Sequence, residues 1–154
     1  GRIAYDACIG SEVTTYLNTP AVQAAIHANV SGSIPYPWSS CSSVVHYSYQ
    51  DLLTSMLPVY DFLLKAGIKM HVYSGDADGI VPTTGTKTWI ASLNLDVKTP
   101  WRQWKTVEGQ VGGFVVEYDG LTLTTVRNAG HMAPYTQPGR ALHFFSHTLN
   151  GQPL

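Results

Sequence analysis

Leu121 to Arg127, LTLTTVR, alternates apolar residues with polar or β-branched ones at a period of two, which predicts a strand. Asn128, Ala129 and Gly130 break the alternation and leave His131 on a tight turn, and Pro134 opens a second turn. Upstream, Ile68 to Ser74 is an apolar run with β-branched members, as suits a buried strand, and Gly75 ends it. Trp101 to Tyr118 reads as a hairpin of WRQWKTV and GGFVVEY turning at Glu108-Gly109.

The helical patterns lie between and around these strands. Asp51 to Lys65 carries Leu52, Leu53, Met56, Leu57, Tyr60, Leu63 and Leu64 at helical spacing, with Gly67 closing it. Pro58 falls inside and either kinks this helix or divides it. Thr83 to Asn94 predicts a helix capped by Thr83 or Thr84, and Pro138 to Asn150 one with Ala141, Leu142, Phe145 and Leu149 inward. Residues 1–19 read as irregular, with helical character around Glu12 to Leu17. Asn18-Thr19-Pro20 then starts a helix with Val22, Ala25 and Ile26 on one side, fraying near Asn29. The loop Ser31 to Ser43 holds Tyr36 and Trp38, which are expected to pack against something else. Only about four strands result, too few for a doubly wound sheet covered on both faces. The expected class is therefore α/β, the carboxyl-terminal part of a larger sheet.

Composition narrows the function classes. The chain has 154 residues, 44% hydrophobic and only 12% charged, with a formal net charge of −1. Such a balance offers nothing to nucleic acid or to an anionic membrane surface. No apolar run is long enough to span a bilayer. The N-terminus lacks the shape of a signal peptide, which bears on the compartment only if Gly1 is the start of translation. Cys8 and Cys41 have three options: a mutual bond, buried thiols, or bonds to another chain. The sequon Asn29-Val30-Ser31 and the scarcity of charge tilt the compartment towards oxidising.

Candidate chemistry sits at the two glycine turns. Asp78 follows Gly75 in a G-x-x-D-x-x-x-P arrangement, and His131 follows the later strand. A loop histidine alone reads as a residue that bonds its neighbours, but a carboxylate on a matching strand-turn supplies a partner. Acid then histidine is the order of the last two triad members on an α/β-hydrolase sheet. The first member is missing, because the chain contains no G-x-S-x-G elbow and neither cysteine follows a strand and precedes a helix. His143 and His147, in HFFSH, lie four apart on a helix without an H-E-x-x-H glutamate or a third ligand. They read as surface or partly packed histidines, and no metal is expected. His27, His46 and His71 carry no local pattern. With no glycine-rich phosphate loop either, no cofactor is expected.

Three segments carry a family resemblance: TYLNTPAVQAAIHANVSG (Thr15 to Gly32), YSGDADGIVP (Tyr73 to Pro82) and VGGFVVEYDGLTLTTVRNAGHMAP (Val111 to Pro134). They resemble the serine carboxypeptidases, and the ending HTLNGQPL is similar to that family's. The resemblance covers nearly the whole chain and corresponds to the carboxyl-terminal part of the family's sequence. It implies that residues 1–154 are one segment of a single α/β-hydrolase domain, here the smaller chain of a two-chain processed enzyme. By the same resemblance Asp78 is the triad acid and His131 the triad histidine. Asp76 competes for the acid role, and Asp78 is preferred because the hydrolase aspartate stands three residues past the turn glycine.

The nucleophilic serine, in a G-E-S-Y-type elbow, and the oxyanion hole would lie on the larger amino-terminal chain of the same precursor. Cys8 and Cys41 match cysteines that bond to that chain, and Asn29 matches a glycosylation site. Met132 matches a position facing the pocket for the leaving residue, while Ile80 and Val81 match positions lining the opposite side of the scissile bond. The implied activity is a serine-type carboxypeptidase acting on peptides with an apolar preference, in the secretory pathway, vacuolar, lysosomal or secreted. A dimer of two-chain units is compatible with the resemblance. Plant acyltransferases and a hydroxynitrile lyase share both motifs, and a protective or binding member with an incomplete triad is the non-enzyme alternative.

Overall fold

The computed structural model describes residues 8–29, 31–46, 48–52 and 54–154, and the chain divides into two units, Gly1–Thr54 and Ser55–Leu154. In the first, α1 (Ile9–Leu17) begins upstream of the expected Glu12, while residues 1–7 lie outside the described set. Helix α2 (Pro20–Ala25) starts on proline as predicted, with Thr19 extended before it. No side chain caps it: the Thr19 hydroxyl instead donates to Thr15 O at 3.2 Å. Asn18 serves the loop, accepting from Trp38 N at 2.7 Å and donating to Trp38 O at 2.9 Å. His27 and Asn29 take positive φ angles of 57° and 47°, which stop the helix from continuing.

The described helical residues of this unit, including α3 (Tyr49–Leu52), are all at least partly exposed. Tyr36 keeps 44% and Trp38 38% of its surface exposed, so the described residues do not supply the packing expected for them.

Helix α4 (Leu57–Lys65) opens the second unit. The long helix predicted over Asp51 to Lys65 is thus divided into α3 and α4, one of the two outcomes foreseen for Pro58. That proline occupies the first turn of α4, where its missing N–H has no intrahelical role. Leu53, assigned to the same apolar face, lies outside the described residues.

The strands β1 (Met70–Gly75), β2 (Val97–Lys105), β3 (Val111–Tyr118) and β4 (Leu121–Val126) form one sheet in the order β1-β4-β3-β2. β2, β3 and β4 are an antiparallel meander, whereas β1 pairs parallel to β4 with Gly75 opposite Val126. Helix α5 (Thr83–Ser92) leads from β1 into the meander, and α6 (Ala133–Thr136) and α7 (Pro138–Leu149) follow β4.

Alternation along β4 directs its residues to two cores. Leu121 and Leu123 join Val116 and Ile90, with Leu64 of α4, Met70 and Val72 packed at the margin. Val126 faces the other way and packs with Ala129, Ala133, Ala141 and Phe144. Both faces of β4 are covered, so a strand that alternates in sequence is buried at all but one position. Close approach of β2 and β3 depends on Gly112, where a Cβ would lie 2.1 Å from the Trp104 ring. Buried Trp104 donates its Nε1–H to Thr125 O at 2.9 Å.

Two expectations need correction. Thr83 does not cap α5. Pro82 holds the cap position, and the Thr83 hydroxyl bonds Gly75 O at 3.1 Å and Ser74 Oγ at 2.9 Å, tying the helix start to the end of β1. In α7 the buried residues are Ala141 and Phe144, whereas Leu142, Phe145 and Leu149 stay 67%, 53% and 71% exposed. Two apolar stripes one residue apart run along this helix, and periodicity cannot say which one meets the sheet. The aromatic wedge of Phe144 against His71 and Tyr73, at ring separations of 5.7 and 5.2 Å, decides it.

Candidate active site

β1 and β4 are parallel neighbours, so both deliver their following loops at the same carboxyl end of the sheet, where α/β folds place ligands. The first loop carries Asp76 and Asp78, the second Asn128 and His131. Asp76 N donates to Val126 O at 3.2 Å and Ala77 N to Ala129 O at 3.0 Å, so the loops stay in contact beyond the last strand residues. A Cβ on Gly75 would stand 2.3 Å from Ala129 O, a backbone atom that cannot retreat easily, so only glycine allows this approach.

Within that frame His131 Nδ1–H donates to Asp78 Oδ2 at 3.1 Å. The proton is placed on Nδ1 because a carboxylate can only accept. Asp78 Oδ1 accepts from the amides of Ile80 at 2.8 Å and Val81 at 3.1 Å, a local Asx-type turn that fixes the carboxylate plane. The Asp78 side chain is only 6% exposed, whereas that of His131 is 56% exposed, leaving the imidazole open to an incoming group. Desolvation pulls the Asp78 pKa upward. The His131 hydrogen bond, then the Ile80 and Val81 amides, then the charge of His131 outweigh it and leave the carboxyl below its ordinary value. Asp78 thereby stays ionised further into the acid range than a free carboxylate.

Asp78 is the aspartate that contacts the histidine; Asp76, the other residue weighed for the acid role, does not. Asp76 instead accepts from Asn128 N, on the same loop as His131, at 2.7 Å. Ile80, Val81 and Met132 flank the pair with 76%, 52% and 59% of their surface exposed, an apolar fringe without cover among the described residues. The part played by the Ile80 and Val81 amides was not visible in the sequence, because a main-chain donor carries no residue-type signature.

The other singled-out residues lie elsewhere. Cys8 and Cys41 are both exposed and are not bonded to each other. Asn29 Nδ2 donates to Ile34 O at 3.2 Å while its Oδ1 accepts from Ile34 N at 3.0 Å. A glycan on Nδ2 would leave one N–H, enough for that bond, and Val30 of the sequon lies outside the described residues.

His143 and His147 do share one side of α7, with ring centroids 4.2 Å apart. His147 Nδ1 is engaged with His143 O at 2.9 Å, and His143 stacks on Trp104. No group of three or more metal-ligating side chains occurs among the described residues. A cavity of about 440 Å³ lies on the α7 side of the sheet, lined by His71, Glu117, Thr148 and Leu154 among others, and includes no residue of the two loops.

A mixed sheet flanked by helices, with an acid–histidine pair at the carboxyl ends of two parallel strands, defines a fragment of an α/β-hydrolase. A prohormone-processing carboxypeptidase from Saccharomyces cerevisiae superposes on 92% of this chain with a TM-score of 0.75, using 31% of its own length. At 21% identity that likeness bears on the fold alone. The serine carboxypeptidase family model matches residues 2–151, and the chain belongs to that family. Serine carboxypeptidase-like 23 of Arabidopsis thaliana is 48% identical over 97% of this chain and 33% of its own length. The P-(S)-hydroxymandelonitrile lyase of Sorghum bicolor is 42% identical over 97% of this chain and 30% of its own length. Serine carboxypeptidase 24 of Arabidopsis thaliana is 45% identical, over 97% and 32%. The chain therefore spans about a third of the length of the curated relatives it matches.

Proposed function

We propose that this chain supplies the acid–base half of a serine-type carboxypeptidase, with Asp78 and His131 as the last two triad members. The observation that carries the reading is the Asp78–His131 hydrogen bond at 3.1 Å, held at the carboxyl ends of adjacent parallel strands. The nucleophilic serine and the oxyanion donors belong to a larger amino-terminal chain of the same precursor, joined through Cys8 and Cys41. Residues 1–154 are then one segment of a single hydrolase domain. Glycosylation at Asn29 and an oxidising secretory or vacuolar compartment complete the reading.

In this mechanism His131 Nε2 takes the serine proton as Oγ attacks the scissile carbonyl. The imidazolium then protonates the leaving amino acid as the C–N bond breaks. Water repeats the sequence on the acyl-enzyme, giving up a proton to His131 and releasing the shortened peptide. Asp78 orients the ring and stabilises its charged form. Met132 faces the leaving residue: its thioether packs against varied apolar side chains but cannot pair with a cation. Ile80 and Val81 line the acyl side. The likeness to the Sorghum lyase supports a second reading, in which the same histidine moves the proton of a cyanohydrin hydroxyl.

The full-length protein, assayed at fixed acidic pH on blocked dipeptides differing only in the last residue, tests both readings. His131→Ala is expected to lower kcat/KM by about 10⁴-fold, with His143→Ala and His147→Ala within about threefold. Substrates ending in Phe or Leu should exceed those ending in Lys or Arg by at least about tenfold, and Met132→Glu should narrow the gap. Equal losses for all three histidines overturn the assigned roles. Release of aldehyde from a cyanohydrin without peptide cleavage favours the lyase.

A further inference from the structure

Asp76 stands two positions before the acid that meets His131, on the same loop, yet its carboxylate binds the other loop's backbone. Asn128 N–H donates to Asp76 Oδ1 at 2.7 Å, the shortest of the bonds between the two loops. Asn128 has a φ of 58°, a left-handed turn that aims the chain back towards β1 just before His131. The same residue's carbonyl accepts from Gln137 Nε2 at 3.1 Å, and Gln137 is in turn bonded by Arg140. Asn128 is thus held from both sides, by Asp76 through its N–H and by the start of α7 through its C=O.

Asp78 and Asp76 grip one loop at two points: the imidazole of His131 and the amide of Asn128. The Ala77 N–Ala129 O bond holds the turn beyond Asn128, and the Asp76 bond is the side-chain tie that holds Asn128 itself to the β1 loop. With both carboxylates engaged, Asn128, Ala129 and His131 are each tied to the β1 loop.

We propose that Asp76 is a positioning residue for the reaction, a carboxylate clamp that sets the height of the histidine loop so that His131 presents Nε2 in register with the serine. The inference rests on the carboxypeptidase reading for its consequence and on the geometry for the clamp itself. Its action needs an acceptor oxygen at this place, not a negative charge, because the donor is a neutral main-chain amide. That separates it from a second general base or an electrostatic partner of the imidazolium.

The test compares Asp76→Ala with Asp76→Asn in the full-length protein, on a blocked dipeptide ending in Phe, beside Asp78→Asn as the triad reference. Asp76→Ala is expected to lower kcat by at least about tenfold with KM within about twofold, since misalignment of the base acts on the chemical step. Asp76→Asn keeps the acceptor and should remain within about threefold of wild type. Asn128→Gly keeps both the N–H and the positive φ, and should also remain within about threefold.

Hydrogen exchange at the residue 128 amide reads the clamp without turnover. It should speed up at least about tenfold in Asp76→Ala and stay slow in Asp76→Asn. The proposal is overturned if Asp76→Asn falls as far as Asp76→Ala, if Asp76→Ala leaves kcat unchanged, or if Asn128→Gly abolishes turnover. Should wild type leave the peptide uncleaved, the peptidase reading fails, and the exchange rates still decide for or against the clamp.

Discussion

His71 illustrates how a side chain without a local pattern acquires a defined state. The Thr148 hydroxyl gives its one proton to Phe144 O at 2.9 Å, so towards His71 Nδ1, 2.6 Å away, it can only accept. Nδ1 therefore carries the proton, and Nε2 accepts from the Thr124 hydroxyl at 2.8 Å. The neutral ring bridges β4 and α7, and burial lowers its pKa from the ordinary 6.5. As pH falls the unfolded chain takes up this proton first. The contribution to stability is complete above 6.5 and is lost on acidification towards the lowered folded value. His71→Gln is expected to flatten the fall of Tm between about pH 7 and pH 5, seen by thermal melts in matched buffers. An unchanged slope would mean that other groups carry it.

At the scale of elements, the junction of β1 and β4 governs everything that follows it. Gly75 and Gly79 share a loop but not an environment: a Cβ on Gly75 meets Ala129 O, whereas one on Gly79 meets nothing within 4 Å. Gly75→Ala should destabilise by about 2–3 kcal/mol, and Gly79→Ala should stay within about 0.5 kcal/mol, in denaturant titrations.

This junction also marks the limit of what the sequence discloses. Strand, glycine turn and acid, then strand, glycine turn and histidine, were legible because turn residues punctuate two clear apolar runs. The order of acid and histidine suited Asp76 as well as Asp78, and the preference for Asp78 came from the family resemblance. The partner of Asp76 was not legible, since a bond to a main-chain amide leaves no mark on residue type. Nor was the inward face of α7, where Ala141 and Phe144 compete with Leu142, Phe145 and Leu149, and only the aromatic neighbours on β1 break the tie.

At the scale of the whole molecule, the described residues leave apolar surface uncovered: α2 and α4 bury nothing completely, and the outer stripe of α7 stays exposed. A chain spanning about a third of its relatives' length accords with the proposal that a larger segment shares its domain. Non-reducing peptide mapping of the full-length protein should find Cys8 and Cys41 each bonded to peptides from outside residues 1–154. Breaking either bond is expected to cost about 2–5 kcal/mol. A Cys8–Cys41 peptide would remove that link.

The pairing of β1 with β4 has a consequence in time. β2, β3 and β4 follow one another through short turns, whereas Asp78 and His131 are 53 positions apart. Closing so long a loop is entropically slower than zipping neighbouring strands. As the chain refolds, the meander is expected to form before β1 docks. The Asp78–His131 bond is expected to form only with that docking, so pulse-labelled hydrogen exchange during refolding should protect β2 and β3 amides before those of β1.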